Sequence, residues 1–257
     1  MKTFRALHDG PGLLCLANAW DAGSARLVES LGAPAVATTS AGFAWALGHA
    51  DGERIPAAVA IAAAGNVARV LSVPLSVDVE GGWAAEPAAV AENVAALSEL
   101  GVAGINIEDG DDSPKLLAAK VAAIRASSAV FVNVRTDVYL RGLAPEADRV
   151  AEVLARAERY RDAGADGLFV PGICVPDEIA AVAEAAGLPL NVMAWPGLPS
   201  NAELTALGVR RFSAGASIAA AVWGVARELT EAFLAGTVAD APSHWAMDYG
   251  EIQQLFG

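Results

Sequence analysis

The chain changes character eight times in the same way: a short apolar or β-branched segment gives way to a longer stretch rich in Ala, Leu and Glu. The short segments are residues 13–17, 35–39, 75–79, 104–107, 130–135, 167–170, 188–194 and 210–213. Several are apolar throughout rather than alternating, which marks strands covered on both faces, as in an all-parallel sheet. Helical periodicity is clearest over residues 21–31, 87–100, 145–163, 176–186 and 217–234. Gly32, Gly101, Gly164, Gly187 and Gly208 follow helical stretches where a left-handed stop is expected. Pro56, Pro87, Pro145 and Pro176 stand near helix starts, where proline does little harm. No Gly-x-Gly-x-x-Gly turn follows the first strand, so the alternation predicts an α/β fold of the (β/α)8 TIM-barrel type rather than an open doubly wound sheet. All 257 residues read as one domain, and 54% apolar against 18% charged residues suffices for one such core.

A barrel brings the carboxyl ends of its strands together, and here those ends carry charge. The run Ser76-Val77-Asp78-Val79-Glu80 ends on Gly81-Gly82, and Ile105-Asn106-Ile107-Glu108-Asp109 ends on Gly110. A third, Asn133-Val134-Arg135-Thr136-Asp137, ends on an arginine beside an acid. Asp78, Glu80, Glu108, Arg135 and Asn191 can therefore meet at one rim, with oxygen ligands for a hard cation and a guanidinium for an anionic substrate. Barrel stability alone does not require acids there.

The formal charge of −13 and pI near 4.6 argue against nucleic acid or an anionic membrane as partner, since either needs clustered Lys and Arg. The start lacks the apolar core of a signal peptide and no apolar run reaches membrane-spanning length, which predicts a soluble cytoplasmic protein. Cys15 and Cys174 lack metal-ligand spacing and are expected as reduced thiols. His49 is the only histidine near a site loop, where a base role competes with a surface or capping role. His8 and His244 lie toward the termini and invite no catalytic reading.

With these motifs in order, the chain resembles the isocitrate lyase and phosphoenolpyruvate mutase superfamily along nearly its whole length. The resemblance is carried by residues 18–26, beginning Asn18-Ala19-Trp20-Asp21, by Thr38-Thr39-Ser40-Ala41-Gly42-Phe43, by Leu47-Gly48-His49-Ala50-Asp51-Gly52, and by the three strand-end runs above. It implies a Mg²⁺-dependent barrel, with Mn²⁺ as an alternative ion. Such enzymes make or break a C–C or P–C bond in a small anionic α-keto or α-hydroxy carboxylate through an enolate-like intermediate. Carried over by motif, Asp78 resembles the direct metal ligand, while Glu80 and Glu108 resemble acids that hold the metal's waters. Asp51 resembles a further active-site acid, against the simpler reading of an Asp-Gly turn. Arg135 resembles the arginine that grips the substrate carboxylate, a task its planar fork of donors suits, against the simpler reading of a barrel salt bridge with Glu108 or Asp137. Thr39, Ser40 and Ala41 fall where the family receives that carboxylate on backbone amides and a hydroxyl, with Ser40 the preferred hydroxyl. Trp20 is a candidate pocket wall and Asn191 a candidate substrate contact.

The departures are as informative. Lyases of this superfamily carry a Lys-Lys-Cys-Gly-His or Lys-Arg-Cys-Gly-His loop after the fourth strand, whereas this chain has Glu108-Asp109-Gly110-Asp111-Asp112-Ser113-Pro114-Lys115 and enters a helix. A cysteine-dependent isocitrate or methylisocitrate lyase is therefore disfavoured. The longer gating loop of phosphoenolpyruvate mutase and phosphonopyruvate hydrolase is also missing, with its Asn. The expectation is a Mg²⁺-dependent carbon–carbon lyase, with decarboxylation of an oxaloacetate-like acid needing no dedicated base. P–C chemistry and a non-catalytic keto-acid-binding barrel remain alternatives. The C-terminal region, 216–257, is apolar enough through Trp223, Phe233 and Trp245 to bury against a partner, and the resemblance implies a homodimer or homotetramer that exchanges this helix.

Overall fold

The computed structural model describes residues 3–237 and 246–257. Its strands are β1 (Leu14–Leu16), β2 (Asn18–Ala19), β3 (Val36–Thr38), β4 (Leu75–Asp78), β5 (Gly104–Glu108), β6 (Phe131–Arg135), β7 (Gly167–Phe169), β8 (Leu190–Met193) and β9 (Arg211–Ser213). All are parallel, in the order β1, β9, β8, β7, β6, β5, β4, β3, β2. The expected first strand is two segments here, separated at Ala17 and running on to Ala19. Its first half pairs with β9 and its second with β3, so one strand closes the sheet by changing neighbours midway. Strand tilt requires this, because the first strand must meet the last one low and the second one high on the barrel wall.

The helices are α1 (Ala22–Ser30), α2 (Ser40–Ala46), α3 (Ala57–Val70), α4 (Pro87–Glu99), α5 (Pro114–Ser127), α6 (Arg149–Asp162), α7 (Pro176–Ala185), α8 (Asn201–Ala206), α9 (Ser217–Leu234) and α10 (Tyr249–Gln254). Four of them, α2, α3, α5 and α8, lie in Ala-rich or short stretches without a marked periodicity. The stretch from 145 opens with a single 3₁₀ turn, Glu146–Asp148, before α6 begins. The five expected helix-ending glycines all take positive φ, from 65° at Gly187 to 103° at Gly164. Ser113 caps α5 by accepting from the Leu116 amide, and Pro114 opens it, which fixes the length of the loop before it.

Val77, Ile105, Ile107, Val132 and Val134 fill the sheet side of the core, packed against Val90, Val94, Leu97, Val121 and Ile124 of the helices. Inside the barrel a polar layer crosses this apolar one. Asn133 Nδ2 donates to the side-chain oxygens of Asn106 at 2.9 Å and Asn191 at 3.0 Å, and Arg211 Nη2 donates to Asn106 at 3.1 Å. At the amino end, Phe4, Leu14, Leu16 and Phe131 seal the barrel. No helix among the described residues is long and apolar enough to cross a membrane. Ile218, Val222, Trp223 and Phe233 on α9 are exposed. Trp245 lies outside the described residues, as does His244.

Candidate active site

Three strand ends converge as expected. Asp78 ends β4, Glu108 ends β5 and Arg135 ends β6, with Glu108 and Arg135 side by side in the strand register. The loops above them enclose a cleft of about 260 Å³ lined by Glu53, Glu80, Glu108, Asp109, Asp111 and Arg141, among others.

Asp78 accepts from the amides of Ser40 at 3.4 Å and Glu80 at 3.3 Å. Ser40 reaches it because β3 stops at Thr38 and α2 starts directly, with Thr39 as its N-cap. Thr38 Oγ1 in turn accepts from the Asp78 amide at 2.9 Å. Thr39 and Ala41 are buried beside Ser40. Burial pushes the Asp78 carboxyl above the usual carboxylate range, against the pull of Arg135 and the two amides.

Glu80 sits in a strained turn. It adopts φ 52°, and Glu53 and Trp83 are the other non-glycine residues with positive φ among those described. The three brace one another. Glu80 Oε1 accepts from the amides of Gly52 at 3.0 Å and Glu53 at 2.6 Å, while Glu53 Oε1 accepts from the Trp83 amide at 3.2 Å. Buried Lys120 ties the same turn from below, through Gly81 O at 2.8 Å. Left-handed backbone at non-glycine residues persists where surrounding contacts over-determine it, and such residues cluster at functional sites. Burial raises the Glu80 carboxyl, helped by the charges of Asp78, Asp51 and Glu53. Asp51 is exposed, and it is the amides of the next two residues that meet Glu80.

Glu108 is pushed up to about 8, first by burial and then by Asp78, Asp137 and Glu80, although Arg135 pulls the other way. Arg135 Nη1 is 2.7 Å from Glu108, and Nε and Nη2 grip Asp137 at 2.6 and 3.0 Å. Despite burial, which works against its charge, Arg135 is held cationic by Glu108 and Asp137. Asp137 is itself positioned, because its amide donates to Asp109 Oδ1 at 2.9 Å. Asp109 is in turn held by Arg156 Nη1 at 2.8 Å and Tyr160 Oη at 2.7 Å, both from α6. A fixed fork of donors follows, aimed by a chain of buried bonds.

The salt bridge of Arg135 with Glu108 or Asp137 that the sequence allows is present, to both acids. Sequence reasoning did not single out Asp109, Arg141 or Glu53. Two expected residues are placed elsewhere. Trp20 leaves the barrel just past β2 and lines a separate groove with Ala46, Val222 and Trp223. Asn191 is fully buried in the polar layer, where its amide nitrogen bonds Val192 O, Arg211 O and Ser213 Oγ. It supports the floor and does not reach the cleft surface. His49 lies past the end of α2, its amide on Ala44 O at 2.8 Å. Both cysteines are free thiols.

Among the described residues, no three His, Cys, Asp or Glu side chains are grouped closely enough to chelate an ion by themselves. The donor set nevertheless fits a hard cation that keeps most of its water: three raised carboxylates, of which Glu80 already spends one oxygen on amides.

Residues 4–234 match the family of phosphoenolpyruvate phosphomutase, and the chain belongs to that family of enzymes. The chain is 43% identical to the uncharacterized protein Rv1998c of Mycobacterium tuberculosis H37Rv, over 83% of this chain and 81% of that protein. It is 28% identical to the oxaloacetate decarboxylase of Pseudomonas aeruginosa PAO1, over 98% and 96%. Among solved structures, it is similar to a Burkholderia cenocepacia J2315 protein provisionally described as a lyase/mutase, with TM-score 0.88 and 36% identity over 99% and 94%.

Proposed function

We propose that this chain is a Mg²⁺-dependent carbon–carbon lyase acting on a small 2-oxo or 2-hydroxy carboxylate, with oxaloacetate decarboxylation as its first candidate reaction. One observation carries the reading: Glu80 and Glu108 line a cleft, with Asp78 next to Glu80 and, beside Glu108, an arginine whose fork is locked by Asp137. Asp78 would hold the ion directly, with Glu80 and Glu108 holding its waters. Bound there, the ion supplies positive charge that polarises a 2-oxo carbonyl. Arg135 binds the substrate carboxylate and meets the negative charge that develops on the enolate oxygen. The Ser40 amide and hydroxyl orient that carboxylate at the mouth of β3. In oxaloacetate the bond to the outer carboxylate breaks, CO2 leaves, and its bonding pair forms the enolate, which takes a proton from water to give pyruvate. The step needs no dedicated base, which agrees with the five-residue turn, 109–113, in place of a cysteine loop. The resemblance to an oxaloacetate decarboxylase at 28% identity supports the same reaction.

The exposed apolar residues of α9 support a second part of the reading, in which this helix is the contact between copies of the chain in a dimer or tetramer. Sedimentation checks it, with a monomer the outcome against it.

The activity is tested with Mg²⁺ and a panel of oxaloacetate, phosphonopyruvate, isocitrate and methylisocitrate, with Asp78→Ala as control. Metal-dependent pyruvate from oxaloacetate, lost in the variant, is expected. Turnover of phosphonopyruvate alone would move the protein to P–C chemistry, and tight keto-acid binding without product would make it a binding protein.

A further inference from the structure

We propose that Arg141 is the residue that anchors the outer carboxylate of the substrate; the inference rests on the lyase reading above. Arg141 follows β6 in a turn set by its amide, which donates to Asp137 O at 2.9 Å. Its side chain lines the same cleft as Glu80 and Glu108. Asp137 is therefore flanked by two guanidiniums: Arg135 on the inner side at 2.6 Å, and Arg141 on the outer side, with Nε at 3.4 Å.

The two arginines are held very differently. Arg135 is 17% exposed, with Nε and Nη2 committed to Asp137 and Nη1 in ion-pair contact with Glu108. Arg141 is 42% exposed, and the partner of its Nη1 is Asp111, itself 83% exposed. An ion pair between such exposed groups contributes little, so a substrate carboxylate can take the place of Asp111 at small cost. Electrostatics favours that exchange. The remaining charged groups that line the cleft are all acids, Glu53, Glu80, Glu108, Asp109, Asp111 and Asp112, so the outer end of a dianion would meet only repulsion there without Arg141. An inner carboxylate on Arg135 and an outer one on Arg141 give each negative end its own cation.

The chemistry also gives Arg141 a distinct kinetic signature. If the outer carboxylate departs as CO2, a guanidinium that grips it stabilises the bound substrate and not the transition state. Arg141 then lowers KM without raising kcat.

The experiment is calorimetric titration of oxalate and of 3,3-difluorooxaloacetate into the Mg²⁺-loaded protein, as wild type and as R141Q, R141K and D111N. Oxalate fills only the inner position, so its Kd should stay within about twofold in R141Q, while difluorooxaloacetate weakens roughly tenfold or more, as befits a lost charge-assisted bond. R141K should recover most of that loss, and D111N should tighten the dicarboxylate a few-fold by releasing Arg141. With oxaloacetate as substrate, R141Q should raise KM about tenfold and leave kcat equal or higher. Equal losses for both ligands, or no loss for either, would overturn the assignment of Arg141 alone. A wild-type protein that binds neither ligand with Mg²⁺ would remove the lyase reading, and this inference with it.

Discussion

At the carboxyl end of the barrel Glu80 and Glu108 line a cleft with Asp78 and Arg135 next to them, whereas at the amino end Arg211 and His8 lie against the rings of Phe4 and Phe131. Both ends bury charge. At the first, acids outnumber their cations and open onto a cleft, so burial and mutual repulsion lift Glu108 to about 8. At the second, Arg211 is fully buried and its guanidinium carbon lies 5.9 Å from the Phe4 ring centroid, with one hydrogen bond to Asn106. His8 is stacked on Phe131 at 4.1 Å and kept neutral. An excess of charge facing an opening is built to receive something, while an excess sealed under aromatic rings is tolerated for closure of the fold. Substitutions at the two ends should therefore separate activity from stability.

The largest effect is expected from Asp137→Asn. Asparagine keeps the shape of the side chain but loses the charge that holds the Arg135 fork, so the expected loss of kcat is roughly a thousandfold, about 4 kcal/mol of transition-state stabilisation. Steady-state kinetics on the substrate found active checks it. Activity within tenfold of wild type would mean that the clamp does not aim Arg135, and the contrast between the two ends would lose its functional half.

Phe4→Ala should act in the opposite way. Phe4 is 4% exposed, and its ring closes over Gly104, where an added Cβ would come within 2.5 Å of it. Removing the ring should cost about 3 to 4 kcal/mol of folding stability by urea denaturation, with kcat unchanged in the folded fraction. Gly104→Ala in that background should be less harmful than in wild type, because the new methyl enters the vacated space. Additive costs would place the seal elsewhere.

Much of the carboxyl end was legible in the chain. Asp78, Glu108 and Arg135 are strand-terminal in sequence, and a parallel barrel leaves strand ends only one place to meet. What stayed hidden depends on contacts between residues far apart. Tyr160 is distant from Asp109 in sequence, and only the packing of α6 against the β5 loop joins them. The split of the first strand at Ala17 follows from barrel closure, which no local propensity records. Trp20 read as a pocket wall because it follows a strand, yet it lines a separate groove with Ala46, Val222 and Trp223 instead. At the amino end, His8 carried no signal in the sequence, since a histidine near a terminus is usually solvated, and its burial comes from Phe131, more than a hundred residues away.

The smallest expected effect tests that histidine. His8 Nδ1 donates to Phe4 O at 3.0 Å, and Nε2 is buried without a partner. Burial first, and then the positive charge of Arg211, lower its pKa from 6.5 to about 4. The unfolded chain therefore takes up the proton before the folded one does. Stability from the neutral ring is complete above about pH 6.5 and drains away as the pH falls toward 4, by up to about 3 kcal/mol. Acid also protonates carboxylates at the other end of the barrel, so the measurement is a difference: urea denaturation of wild type and His8→Phe at pH 7.5 and pH 4.5. Phenylalanine keeps the stack on Phe131 and cannot titrate. Wild type should lose about 2 to 3 kcal/mol more than the variant between the two pH values. Equal losses would mean that the amino end admits a proton and its water as readily as the carboxyl end does, and the two ends would no longer differ in how they treat buried charge.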